Sequence, residues 1–137
     1  MAQHVDMNGL WSGSYSYDLI DSPVRFTAWI DDQSGALGGT ITEPNTFVRG
    51  GPDDLEANIK GSRLGVVIDF VKTYSISSGA HLDPIFYEGE ANRDFTEVRG
   101  VWRIKPAGTL PGKFMLTRIS HGMEAAASKH RSVEVEK

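Results

Sequence analysis

The sequence predicts an all-β fold, a single eight-stranded antiparallel up-and-down β-barrel. Three observations predict it. Apolar and polar residues alternate with period 2 along most of the chain, the mark of strands buried on one face. Gly, Pro, Asn and Asp recur between those stretches as turn formers. The 137 residues suit one domain, and no long helical periodicity interrupts them. Closing eight sequential strands into a barrel removes both exposed sheet edges.

The first strand spans roughly 9–18 within "NGLWSGSYSYD", where Trp11, Gly13, Tyr15 and Tyr17 share one parity and Ser12, Ser14, Ser16 and Asp18 the other. The second, 23–32, turns Phe26, Ala28 and Ile30 inward and leaves Trp29 outside, which asks for a contact surface. The third, 36–43, points Leu37, Gly39, Ile41 and Glu43 inward. In the fourth, 54–61, Glu56, Asn58 and Lys60 face water, so Leu55, Ala57 and Ile59 face the core. In the fifth, 64–74, an outward Asp69 sends Val66, Ile68, Phe70, Lys72 and Tyr74 inward. The sixth, 84–91, contributes Ile85, Tyr87, Gly89 and Ala91. The seventh, 95–104, contributes Val98, Gly100, Trp102 and Ile104, with Arg99 and Arg103 outside. The eighth, 112–120, adds Phe114, Leu116 and Arg118. Residues 1–8 are a flexible N-terminus, 9–120 the barrel, and 121–137 a charged tail that forms a short helix or frays.

"DDQSG", "KGSR" and "NRD" are tight hairpins after strands two, four and six. The connections after strands three, five and seven are longer: "PNTFVRGGPDD", "SISSGAHLD" and "KPAGTLPG". In an up-and-down barrel these fall at opposite ends, so one end is stitched shut and the other is ringed by Gly/Pro-containing loops, where binding function concentrates.

Composition narrows the function. A net charge of −4 and a pI near 5.5 lack the basic footprint of nucleic-acid binders. No apolar run is long enough for a helical membrane span. The N-terminal "MAQHVDMNG" has no basic-then-apolar leader pattern, so a cytoplasmic location is the expectation. The absence of cysteine rules out disulfides and thiolate chemistry.

"GLW" at Gly9–Trp11, together with an inward Arg118 on the last strand, resembles the calycin superfamily, which includes lipocalins, fatty-acid-binding proteins and avidins. The resemblance implies that Arg118 stacks over Trp11 at the closed end. "FYEG" and "VRGVW" are similar to avidin strands, but the serine- and asparagine-rich biotin contacts do not recur, and Phe70 stands where a wall tryptophan is expected. Haem barrels of the nitrobindin type need a histidine on a strand, whereas His4, His81, His121 and His130 fall in predicted loops or tails.

The inward polar residues near the long-loop end are the candidate site: Tyr15, Tyr17, Glu43, Lys72, Tyr74 and Tyr87, beside Trp102. One reading gives a cavity lined by Tyr15, Lys72, Tyr74, Tyr87 and Trp102 that takes a partly apolar, acidic or hydroxylated small molecule. In the bland alternative Glu43 and Lys72 pair with each other or reach bulk water at the rim, and nothing binds, since an unpaired buried charge is costly. Glu43 with Lys72 or Tyr74 is also an acid–base pair suited to isomerisation or decarboxylation, as in some calycin-like enzymes. The inward glycines either make room for a ligand or ease bends in the strands. Asp31–Asp32 and Asp53–Asp54 suit hairpin and loop starts rather than a metal site. "GALGG" has no following helix and is no phosphate loop. No cofactor is expected. The third possibility is a protein-interaction or oligomerisation module without a ligand, in which Trp29 and the outer face of the second strand make a contact or homodimer surface.

Overall fold

The alternating pattern resolves into eight strands: β1 (Gly9–Ser16), β2 (Val24–Gln33), β3 (Ala36–Pro44), β4 (Asp54–Leu64), β5 (Val67–Tyr74), β6 (Ile85–Ala91), β7 (Glu97–Ile104) and β8 (Gly112–Arg118). They come from a computed structural model that describes residues 5–16, 23–45, 50, 53–75, 83–104 and 112–119. Each strand pairs antiparallel with its sequence neighbours, and β1 pairs with β8, so the sheet is a closed barrel. Among the described residues there is no helix, hence none long and apolar enough to cross a membrane.

Register follows from which face must be dry, because a one-residue slip would turn every core side chain outward. In β2 each inward residue from Phe26 to Asp32 is buried and each intervening residue is exposed. Trp11 lies opposite Ala28 on one side and Arg118 on the other. Tyr87 lies between Phe70 and Trp102. The core is the barrel interior, from Met7, Trp11 and Leu37 at one end to Tyr15, Tyr74 and Trp102 at the other.

The hairpin end is as expected in kind and different in detail. "KGSR" is not a turn: β4 continues through it to Leu64 and the chain reverses at Gly65–Val66. Val66 therefore sits in the turn, packed against the core from its rim. Extending β4 keeps its parity, so Gly61 and Arg63 follow Ile59 inward. The β6–β7 turn is also wider than "NRD". Its loop is organised by Asn92 Oδ1, which accepts the N–H groups of Thr96 and Glu97 at 2.9 and 3.0 Å.

Rings stand over some of the inward glycines, and neighbouring backbone closes off others, as at Gly39, where a Cβ would stand 2.0 Å from the Trp29 carbonyl oxygen. A Cβ on Gly13 would stand 2.2 Å from Phe26 Cζ, and one on Gly100 would stand 2.7 Å from Phe114 Cε1. At Gly13 and Gly100 aromatic side chains from adjacent strands thus lie over bare backbone, and the space there is filled from within the barrel.

Candidate functional site

The ends of the barrel carry different chemistry. At the tight-turn end, residues 5–8, part of the segment expected to be flexible, run across the opening, and Met7 is fully buried. Met7 N–H donates to Asp32 Oδ2 at 2.9 Å, and Asn8 exchanges two hydrogen bonds with the Asp32 backbone. Trp11 Nε1 donates to the Met7 carbonyl at 2.9 Å. The Arg118 guanidinium lies 4.5 Å from the Trp11 ring centroid. It donates to the carbonyls of Phe95 at 2.7 Å, Asp6 at 2.6 Å, and Asn8. Committed to three carbonyls and an indole, Arg118 is a structural clamp.

Asp32 and Arg63 belong to the same plug. Arg63 Nε is 2.5 Å from Asp32 Oδ2, and Gly35 N–H donates to Oδ1 at 2.9 Å. Burial pushes the Asp32 carboxyl up, but the bonds from Arg63, Met7 and Gly35 outweigh it and hold the group below its ordinary value. Sequence reasoning missed this pair. Asp32 was readable, since it continues the inward parity of Phe26, Ala28 and Ile30. Arg63 was hidden by the misplaced turn.

The other end holds the polar cluster. Glu43 closes β3, Lys72 and Tyr74 lie at the end of β5, Tyr15 near the end of β1, and Tyr87 on β6. All five are buried, Lys72 and Glu43 to 0% and 1% exposure. Lys72 Nζ is in salt-bridge contact with Glu43 Oε1. The second oxygen, Oε2, accepts from Tyr15 OH at 2.8 Å and Tyr74 OH at 3.1 Å. Lys72 Nζ also lies 3.5 Å from Tyr87 OH. Among the described residues, four rings surround the ammonium, with centroids at 4.7 Å for Tyr15 and Tyr74 and 5.9 Å for Phe26 and Tyr87.

Burial lowers the Lys72 pKa, and the neighbouring Glu43 carboxylate opposes that shift without cancelling it. Burial, and then the Glu43 charge, push the Tyr74 hydroxyl up, so it remains a donor. Trp102 completes the cluster: its ring meets Tyr15 edge-on at 5.9 Å, and its Nε1 donates to the Ser16 carbonyl at 3.3 Å.

Comparison of the chain with known protein families, with curated proteins and with solved structures finds no match.

Of the residues expected at the site, Tyr15, Glu43, Lys72, Tyr74, Tyr87 and Trp102 come together. Tyr17 lies outside the described residues, as do all four histidines. The expected lining groups bond to each other, as the bland alternative anticipated for Glu43 and Lys72. Trp29 is outside the barrel, 37% exposed, in register with Leu10 and Thr40.

Proposed function

We propose that this protein binds a small, partly apolar molecule through the end of the barrel that carries the long connections, with its polar group at Lys72 and the tyrosines. The observation that carries the proposal is the buried Glu43–Lys72 pair, held by Tyr15 and Tyr74 at that end. A buried ion pair contributes little net stability, and well-packed apolar residues of similar volume often do as well or better. A few polar groups inside aromatic walls are, by contrast, the ordinary composition of a ligand site. The Arg118–Trp11 contact supports a calycin-like reading of the barrel, in which the opposite end is left for the ligand.

Native mass spectrometry of the purified protein tests this. A bound mass that is released on denaturation, and is lost in Lys72→Met while the variant stays folded, is the expected result. A chain that carries no added mass, and retains none after incubation with amphipathic carboxylic acids, would sink the proposal.

An acid–base enzyme, an isomerase or decarboxylase, is the second reading. It is favoured by the division of labour at Glu43, where one oxygen is fixed by two phenols and the other meets an ammonium. Glu43→Gln would then abolish turnover of a bound substrate and leave its binding largely intact.

A further inference from the structure

Of the lysines among the described residues, Lys60 and Lys113 are exposed on the outer wall and Lys72 alone is enclosed. Its surroundings go beyond what a counter-ion requires. Flat aromatic faces stand on several sides of Nζ, and the carboxylate oxygen it touches is not the one fixed by the phenols. A desolvated amine beside a proton acceptor is the usual arrangement of a lysine that attacks carbonyl groups. Planar walls suit a planar partner, because stacked and edge-on contacts with rings reward flat conjugated groups.

We propose that Lys72 is a nucleophile for a planar aromatic or conjugated aldehyde, which it captures as an iminium adduct inside the barrel with Glu43 as proton carrier and counter-ion. The proposal rests on the ligand-binding role assigned above to this end and names the chemical class of the ligand.

The step balances without any further reactant. The Lys72 ammonium passes one proton to Glu43 Oε1, leaving a neutral amine and a carboxylic acid. The nitrogen lone pair attacks the aldehyde carbon, a C–N bond forms, and the carbonyl π pair moves onto oxygen. A proton shifts from nitrogen to that oxygen and gives the carbinolamine. Glu43 returns its proton to the hydroxyl, the C–O bond breaks, and water leaves as the nitrogen lone pair forms C=N. The product is a protonated imine beside a restored carboxylate, so the site begins and ends with the same charges. Burial, which lowers the Lys72 pKa, makes the first transfer easier, and the closeness of Glu43 makes it direct. Tyr15 and Tyr74 hold the carboxylate in place throughout as positioning residues. Because Lys72 is fully buried, the aldehyde must enter from the end of β5, two residues beyond it.

The test uses the unmodified chain at neutral pH with cinnamaldehyde and sodium cyanoborohydride, followed by peptide mapping. Reductive labelling at Lys72 about tenfold faster than at Lys60 or Lys113 is the expected result, reflecting an activated amine. Labelling confined to the exposed lysines overturns the proposal. Cinnamyl alcohol, which has the same shape and no carbonyl, separates the two levels by equilibrium dialysis. If the alcohol is retained and Lys72 is not labelled, the aldehyde chemistry fails while ligand binding at this end stands. If neither compound is retained, the proposal fails together with the choice of a planar ligand. Glu43→Gln should slow Lys72 labelling, whereas an unchanged rate would overturn the role of Glu43 as proton carrier.

Discussion

Asp32 and Arg63 meet across the tight-turn end of the barrel, Oδ2 to Nε at 2.5 Å, although they lie on β2 and β4 with β3 between them. The carboxylate also holds the Met7 and Gly35 amides. One side chain therefore ties the N-terminal crossing, a hairpin turn and a non-adjacent strand together. Asp32→Asn should lower stability by about 1–3 kcal/mol, the usual cost of under-satisfying buried partners. The acid limb of the pH profile provides the sharper check. Because the folded-state pKa lies below the ordinary 3.8, the unfolded chain takes up the proton first as pH falls. The stabilisation is thus complete above that value and is lost as pH drops through the folded pKa. Urea unfolding between neutral pH and pH ~2.5 should show a steeper acid loss in the wild type than in Asp32→Asn. Parallel profiles would contradict the assignment.

Arg118 is bound to carbonyls on two segments and to the face of Trp11. Lysine keeps the charge but cannot supply the planar fork that reaches Phe95, Asn8 and Asp6 together. Arg118→Lys should cost about 1–3 kcal/mol through the carbonyls left short of a donor. It should also loosen the crossing made by residues 5–8, so the indole N–H of Trp11, bonded to Met7, should exchange faster with solvent. Unchanged exchange with reduced stability would mean that Arg118 acts through the Phe95 carbonyl of the β6–β7 turn and not through the crossing.

The Glu43–Lys72 pair invites a double-mutant cycle. Lys72→Met leaves a buried carboxylate without its cation and should cost about 3–5 kcal/mol. Adding Glu43→Gln removes the orphaned charge, so the double variant should lose less than the two single losses combined, by roughly 0.5–3 kcal/mol of coupling. A strictly additive result would show that the two groups act independently. Since Tyr15 and Tyr74 both donate to Glu43, their hydroxyls are where any residual cost should lie.

Much of this arrangement is legible in the sequence because parity is a local property. Glu43 follows Leu37 and Ile41 on one face, and Lys72 follows Ile68 and Phe70, so both ionisable groups are assigned to the interior without knowing their partners. Which polar groups meet depends on strand order and on which end each strand leaves. That is why Tyr15, Glu43, Lys72 and Tyr74 could be gathered at one end. Partnerships between non-adjacent strands carry no local signal. Asp32 and Arg63 were lost for that reason, and because a Gly-Ser dipeptide that reads as a turn lies inside β4. The Met7 crossing has no such signal because it obeys no periodicity: apart from the Asn8 side chain, the segment is held through backbone amides and carbonyls that any residue supplies. Nor does sequence pattern distinguish a glycine that opens space from one that a ring occupies.

Gly13 illustrates that last distinction and can be tested. The Phe26 ring lies over its backbone, with Cζ 2.2 Å from where a Cβ would stand. Phe26 is itself buried beside Tyr15, ring centroids 6.1 Å apart, so it has little room to retreat. Gly13→Ala should overpack the barrel and cost about 1–3 kcal/mol. Shortening the intruding side chain should relieve the clash, so Phe26→Leu combined with Gly13→Ala should be more stable than the sum of the single losses predicts. Thermal unfolding of the four proteins measures the coupling. If Gly13→Ala is neutral alone, the ring shifts freely and the interior at this level is looser than the contacts indicate. A clear penalty with rescue by Phe26→Leu would mean that the glycine is retained to seat the ring, and that the ligand must find its space nearer to Lys72.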